Sequence, residues 1–541
     1  MPAAAEITRT VVADAPVADV PEMTSEDVKR HIYRNSISNY SFLVVRMGLG
    51  AVLFRLIIQS LPAEDFGFWS VLWSMLGYGI LLDFGFGFTA QKRVAELCVK
   101  RDWECLSRVL STIFYTYVGV ALAIVTIGYV IAPDIVHALA GVSPHNVENY
   151  TRILRVFLVG IGIAFPLGMF PEMLRGQQRI CLANNLQLAS YLASFTLMLL
   201  GVTHGWNLIW LFVFSLGGTL MGDFLCGVAA MRKMPKVYLS PSLFSREMIR
   251  ETTRFSVYAY LNTLTTVILT RTDQIVISTC LALAAVAIYQ AGAKVSEMFS
   301  GFALQIAETL SPAAAHFHAR GDRAELRELL VKGTRFTVMV ATPMYLGCAF
   351  FLPSILRLLT GAKLAGTETY WVGQILLLWI YNTVLTQSCT KRIFMMCGHE
   401  KRLMWLGLGE AAINLALSVT LVLIFKNVVC VALGSLLATC FFGWFFIWPW
   451  AAREAGIGSW QLARAVLFPA WVASWPLIGL IALIRFLPKL AAGDSLGLFF
   501  VEGSLAAIVA AIGLWKLALD EEERAKFSSY FLRRFGRRSV A

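Results

Sequence analysis

Residues 109–132 read VLSTIFYTYVGVALAIVTIGYVIA, a run without one charged side chain. A hydrocarbon core about 30 Å thick is crossed by about 20 mostly apolar residues in a helix. There a helix is favoured because it satisfies every backbone N–H and C=O internally. This run therefore predicts a membrane span, and runs like it recur on both sides. Before it, spans are predicted at 38–60 and 67–90; after it, at 153–174, 184–203, 206–230, 255–280, 284–315, 336–359, 368–390, 403–425, 428–450, 465–487 and 495–518. Composition agrees: of 541 residues 57% are hydrophobic and 15% charged, with a mean hydropathy of +0.67, whereas soluble domains carry about 25% charged residues. The expected fold class is an all-α polytopic membrane protein of about fourteen transmembrane helices.

The net charge of +12 raises the possibility of a nucleic-acid partner, and the placement of the charge argues against it. With both termini inside, most loop cations fall on the cytoplasmic side, among them Lys92, Arg93, Lys100, Arg101, Arg232, Lys233, Lys236, Arg246 and Arg250. The outer side holds few, such as Arg152, Arg155, Lys363 and Lys489, while Arg533, Arg534, Arg537 and Arg538 make a basic tail. This is the positive-inside pattern, so the charge reports orientation and contact with anionic lipid headgroups. The ten cysteines show no metal-type spacing and read as small packing residues. No metal site and no cofactor are expected. The first 28 residues are Ala- and acid-rich without an apolar run, and no cleavable signal is expected, because the first span begins too late and is too long.

The longest cytoplasmic break lies between the sixth and seventh spans. The expected organisation is a largely disordered cytoplasmic tail (1–37), a six-helix bundle (38–232), a cytoplasmic linker (233–254), a second six-helix bundle (255–452), two additional spans (465–518) and a basic cytoplasmic tail (519–541). The bundles echo one another. Leu61 to Trp69 and Leu281 to Tyr289 each form a short outer turn followed by a small, an apolar and an aromatic residue (Gly67, Phe68, Trp69; Ala287, Ile288, Tyr289). Repeated halves around a midplane site are a transporter architecture.

A charge inside a span costs about 2.5–3.5 kcal/mol on insertion scales, so it faces protein or an aqueous cavity. Here such charges concentrate in spans one, two, seven and eight. Span one carries Arg46, deep and on the face of Asn39, and Arg55, nearer the outer end and able to snorkel. Arg46 reads either as a functional cation or as part of a buried structural pair. Span seven places Tyr258, Asn262, Thr266 and Asp273 on one stripe, with Arg271 turned away. In span eight, Gln290, Lys294, Glu297, Gly301, Gln305 and Glu308 share one narrow face. That face lines an aqueous path for an anionic substrate, or Lys294 and Glu297 simply neutralise each other at i,i+3. Asp83, Asp223, Glu410 with Asn414, and Glu502 are secondary candidates; Pro166, Pro171 and Pro312 are candidate breaks in spans four and eight.

Several stretches resemble Wzx-type polysaccharide transporters of the multidrug/oligosaccharidyl-lipid/polysaccharide superfamily. They are Glu64-Asp65-Phe66-Gly67-Phe68-Trp69, Leu82-Asp83-Phe84-Gly85-Phe86-Gly87, Gln91-Lys92-Arg93-Val94-Ala95-Glu96, Pro171-Glu172-Met173-Leu174-Arg175-Gly176-Gln177-Gln178-Arg179, and Arg271-Thr272-Asp273-Gln274-Ile275-Val276-Ile277 leading to Ala287-Ile288-Tyr289-Gln290-Ala291. The resemblance spans roughly residues 35–450. It implies two six-helix bundles around a central cavity in the bacterial inner membrane. It also implies translocation of an undecaprenyl-diphosphate-linked glycan to the outer leaflet, proton or sodium coupling, and a polysaccharide polymerase or synthase partner. The substrate-binding role maps to Arg46, Arg271, Lys294, Asn262 and Gln290; Asp273, Glu297 and Glu308 become ion-coupling groups or charge partners. The last two spans depart from a twelve-helix core.

Three other classes compete. A drug or metabolite antiporter of the same superfamily favours an acidic cavity, whereas the deep charges here are of both signs. A membrane glycosyltransferase, polymerase or ligase needs a site on a sizeable outer loop, and the outer loops are short; no catalytic residue is assigned. No GxxxxGK[ST] loop is present for nucleotide hydrolysis. A purely structural membrane protein would not keep the polar stripe of span eight.

Overall fold

The computed structural model describes residues 25–78, 86–177, 179–248, 257–308, 310, 314, 317–318, 320–361, 364, 366–486, 496–521 and 523–525. Among them every long regular element is a helix: α1 (Ser25–Ser60), α2 (Ala63–Tyr78), α3 (Phe86–Lys100), α4 (Trp103–Ala138), α5 (Val147–Leu167), α6 (Met169–Gly176), α7 (Ile180–Thr203), α8 (Leu208–Lys233), α9 (Val257–Cys280), α10 (Leu283–Glu308), α11 (Arg323–Phe350), α12 (Leu352–Thr360), α13 (Thr367–Thr383), α14 (Cys389–Met396), α15 (Glu400–Phe425), α16 (Val429–Phe442), α17 (Trp448–Ala455), α18 (Ser459–Phe486) and α19 (Leu496–Gly513).

Every expected span has a helix on it, but the described helices are not equally apolar. Eight are long and apolar enough to cross a membrane, or nine if α11 and α12, bent by 67°, form one span. Apart from the short α14, the helices that fall outside this set are α1, α2, α9, α10 and α13, with the amphipathic α3, and all of these but α14 contribute to the central cavity described below. Their polar residues face one another rather than lipid, which lowers their hydropathy without exposing charge to hydrocarbon. Among the described residues eight or nine spans are thus marked by composition, short of the fourteen expected.

The two halves repeat each other. In the first, α1 packs on α7, α7 on α8, α5 on α8 and α2 on α5; in the second, α9 packs on α15, α15 on α16, α13 on α16 and α10 on α13. Turns recur at the spacing that separates Leu61 from Leu281. Arg101 and Gly321 both adopt the left-handed backbone, at φ 56° and 69°. Each is followed by an aspartate whose carboxylate caps the next helix: Asp102 accepts from the Cys105 amide at 3.0 Å and Asp322 from the Glu325 amide at 3.1 Å. Gly141 and Gly361, likewise equivalent, are left-handed at φ 73° and 66°. Pro133 and Pro353 are equivalent too, yet α4 runs on through Pro133 while the second half bends just before Pro353.

The two halves are joined at one end. There the α1–α2 and α9–α10 turns meet, and residues of both halves (Ile57, Phe68, Tyr150, Phe212, Leu283, Val286) belong to one buried apolar core. Gly67 makes the approach possible, since a Cβ on it would fall 1.9 Å from the Leu283 carbonyl oxygen. The Ala140 amide donates to the Ser278 carbonyl at 2.6 Å and the Leu283 amide to the Ala140 carbonyl at 3.1 Å, stitching the α4–α5 loop to the α9–α10 turn. At the opposite end the cores are separate. One is built on Phe86, Leu110, Met169 and Cys226 of the first half, another on Leu330, Phe394, Trp448 and Val466 of the second. Lys92, Arg93, Arg179, Arg232 and Lys233 gather there, where α3, α6 and α8 pack together. These are called the turn end and the basic end below.

Two expectations about breaks resolve locally. α5 ends at Leu167, one residue after Pro166, and Pro171 sits in the first turn of α6, where the missing N–H has no helical partner anyway. Pro312 and Asp83, together with residues 1–24 and 526–541 of the tails and 249–254 of the linker, lie outside the described residues. The additional pair α18 and α19 packs onto α11, with Phe351, Leu477 and Ala506 as its buried contact.

Candidate functional site

Between the halves lies a cavity of about 1350 Å³, lined from Phe66 and Trp69 at the turn end to Gln91 and Glu172 at the basic end. Five helices, α1, α6, α8, α9 and α10, set its charged walls. On α1, Arg46 reaches in from the first half, its guanidinium 5.7 Å from the Tyr191 ring of α7 and 5.9 Å from Phe42. On α9, Arg271 lines the cavity from the second half. Its side chain crosses α2 at Gly77, where a Cβ would come within 2.9 Å of Nε, and Ser74 Oγ donates to its carbonyl at 2.6 Å. Neither arginine forms an ion pair with a described residue.

The stripe on α10 is a connected chain. Gln274 Nε2 donates to Gln290 Oε1 at 2.5 Å, Gln290 Nε2 to Glu297 Oε1 at 3.4 Å, and Lys294 Nζ pairs with Glu297 Oε2 at 3.1 Å. Lys294 also lies 5.5 Å from the Phe54 ring. The stripe thus lines the cavity with its opposite charges paired. Gly301 faces Met47 of α1. The side chains of Gln305 and Glu308 lie outside the described residues.

Asp273 also lines the cavity but is largely buried, 6% exposed. It accepts from the Tyr289 hydroxyl and, at 3.1 Å, from Ser435 Oγ of α16, which itself accepts from Asn414 Nδ2 at 2.9 Å. Four helices of the second half thus converge on one carboxylate. A neighbouring buried group, Glu410, pairs with Lys391 Nζ at 3.1 Å and accepts from Gln387 Nε2 at 3.0 Å. Burying a carboxylate is tolerated when it is paired or fully hydrogen-bonded, and both sites meet that condition.

The sequence reading and the structure part company at several residues. Arg271 looked turned away from the Asp273 stripe, yet both line the cavity, because the cavity wraps around α9. Asn262, on the expected stripe, instead donates to the Glu400 carbonyl of α15 at 3.3 Å and does not line the cavity. Arg55 does not snorkel; it donates to the Leu358 carbonyl in the last turn of α12, where a cation suits the helix dipole. Asp223 lines the cavity and accepts from Gln187 at 3.1 Å. Glu502 is buried in α19, away from the site. Sequence reasoning missed Glu172, ion-paired with Arg175, and the aromatic wall of Trp69, Trp73, Tyr191 and Tyr289. The i,i+4 spacing of Trp69 and Trp73, and the equivalence of Trp69 with Tyr289, were the available signals.

With the cavity in place, comparison with known proteins is informative. The sequence model described as "Polysaccharide biosynthesis protein" matches residues 32–318, more than half of the chain. The chain belongs to this family. Solved structures share its fold at low identity. A lipid II flippase MurJ in an inward closed conformation matches with a TM-score of 0.68 at 15% identity, covering 93% of this chain and 99% of that one. An inward-facing multidrug resistance MATE family transporter of the MOP superfamily matches at 0.64 and 15%, covering 79% and 99%. A MOP superfamily transporter from Pyrococcus furiosus, described by the reversed polarity of its binding pocket, matches at 0.55 and 16%, covering 81% and 96%. No curated protein sequence matches the chain significantly. The family, the shared fold and the eight or nine apolar helices make this a multi-pass membrane protein.

Proposed function

We propose that this family member is a flippase that carries a lipid-linked oligosaccharide, with an undecaprenyl-diphosphate-type anchor, across the bacterial inner membrane by alternating access. One observation carries the reading: Arg46 and Arg271 face a single cavity from opposite halves without a salt bridge to a described residue, Asp223 acting on Arg46 only through space. Two guanidinium forks in a low-dielectric cavity match a diphosphate, each able to bind two oxygens. The aromatic wall of Trp69, Trp73 and Tyr191 offers apolar faces for sugar rings. The separate cores at the basic end and the shared core at the turn end describe a state closed at the turn end. With the basic end and both termini cytoplasmic, substrate enters from inside and leaves outside when the turn-end contacts part.

Lys294 and Gln290 assist at the substrate, while Glu297 holds Lys294 in place. Asp273, with its donors Tyr289 and Ser435, is the proposed coupling site for a proton or sodium ion, since loading it would alter how α9, α10 and α16 pack. A polysaccharide polymerase or synthase would take the product. The second reading, an ion-coupled drug or metabolite antiporter, is favoured by Glu172, Asp223, Asp273 and Glu297 in the same lining. Those carboxylates are individually paired or hydrogen-bonded, whereas neither arginine side chain bonds to a described residue, which favours anionic cargo.

The test is a deletion strain complemented with wild type, Arg46→Ala or Arg271→Ala, with surface glycan and lipid-linked glycan in the cytoplasmic leaflet both quantified. Loss of surface glycan with precursor trapped inside supports the flippase. Normal surface glycan with altered drug or metabolite export overturns it.

A further inference from the structure

A second cavity, of about 990 Å³, lies away from the central one, between α4 and α5 at the turn end. It sits where the surface changes character. Along α4 and α5 the outward residues are large and apolar, with Leu122, Ile127 and Val130 62%, 61% and 70% exposed, and Val159 and Ile163 beside them. Beyond that band the exposed groups are polar: His137, Glu148 and Arg152. The cavity therefore straddles the border between hydrocarbon and headgroup.

Its cations are placed by backbone chemistry. Pro133 has no N–H, so the Tyr129 carbonyl one turn earlier loses its helical donor. Arg155 of α5 fills the gap: its Nε donates to the Tyr129 carbonyl at 3.3 Å, and its guanidinium lies 4.6 Å from the Tyr129 ring. One of its five N–H donors is used; the terminal amino groups bond to no described residue. A merely snorkelling arginine would extend straight to water, but this one is held against Tyr129 in the cavity lining. Arg152, one turn along the same face, is exposed and makes no ion pair with Glu148 although the two are at i,i+4. Two guanidinium groups thus remain side by side at the end of the molecule where cations are scarce.

We propose that this cavity binds the phosphate headgroup of a phospholipid in the leaflet at the turn end, with Arg152 and Arg155 as the anion ligands. The acyl chains lie along the exposed apolar band of α4 and α5. Planar guanidinium groups recognise phosphate through paired N–H donors, and an anionic headgroup gains further from the local positive charge.

The full-length protein in detergent is incubated with a photoactivatable phosphatidylglycerol and the labelled peptides are mapped. Labelling concentrated between Tyr129 and Val159, reduced about tenfold by Arg152→Gln as loss of one charge-assisted hydrogen bond would do, is the expected result. Arg152 is exposed, so this substitution disturbs no packing; Arg155→Gln should act in the same direction. Labelling spread evenly over the lipid-facing helices, or unchanged in both variants, overturns the proposal. So does complete displacement by inorganic phosphate at the concentration of the lipid, which would make the cavity a site for free phosphate.

Discussion

Gly67 of α2 lies against the main chain of Leu283 at the start of α10, so closely that a single added carbon would fall 1.9 Å from the Leu283 carbonyl oxygen. The two residues belong to segments that echo one another in the two halves, and at this point the halves touch. The contact is backbone to side-chain-free backbone, as at helix crossings that depend on small residues. It closes the cavity at the turn end.

A larger residue at Gly67 should therefore prise the halves apart. Gly67→Val is expected to lower stability by about 1–3 kcal/mol, the cost of overpacking a close contact, and to abolish transport. A melt in detergent and the surface-glycan assay read the two effects; wild-type behaviour in both would show that the halves do not need this contact.

The two cavity arginines should differ from ordinary surface cations in their tolerance of lysine. Arg46→Ala and Arg271→Ala are each expected to cut glycan translocation by more than about tenfold at limiting substrate. Arg46→Lys and Arg271→Lys should restore only part of it, because the charge returns without the planar fork. Full rescue by lysine would reduce the role to net charge.

Asp273→Asn removes the carboxylate shared by Tyr289 and Ser435 while keeping an acceptor of similar size. The fold should survive, with little change in melting temperature, and translocation should lose its dependence on an imposed proton or sodium gradient. Gradient dependence that persists unchanged in the variant would remove Asp273 from the coupling step.

The Lys391–Glu410 pair offers a stability test independent of transport. Glu410 is 1% exposed, so Lys391→Ala leaves its carboxylate without a cation and should cost about 3 kcal/mol. Adding Glu410→Gln should recover most of the loss, because a neutral amide needs no counter-charge. Additive destabilisation in the double variant would contradict the pairing.

Glu64 gives the pH prediction. Burial raises its pKa, but hydrogen bonds from Asn146 and from the Ser143 amide and hydroxyl outweigh that and hold it below the ordinary 4.5. A carboxylate with a depressed folded-state pKa contributes stability at pH above its unfolded value and loses it as pH falls through the folded value. The α4–α5 loop should stay pinned at neutral pH and loosen only below pH 4.5. Hydrogen exchange of residues 140–147 checks this, and Glu64→Gln should abolish the pH dependence in that window.

Sequence alone determined the membrane character, the helix positions and the repeat. Runs such as 109–132 have no other economical solution in hydrocarbon, and the echo between Leu61–Trp69 and Leu281–Tyr289 is a local pattern visible without coordinates. It also singled out Arg46, Lys294, Glu297 and Asp273, because charge in an apolar helix is conspicuous. Only the tertiary structure decided what each charge meets. A helical wheel turned Arg271 away from the Asp273 stripe because it assumes one wet face, whereas the cavity curves around α9; Asn262, on that stripe, meets the start of α15 instead. Asp273 acquires its partners from α10 and α16, Glu410 from α14 and the turn before it, and Arg55 from α12. Those partners are separated from them by up to three hundred residues of chain, a distance over which helical periodicity carries no information and only packing does.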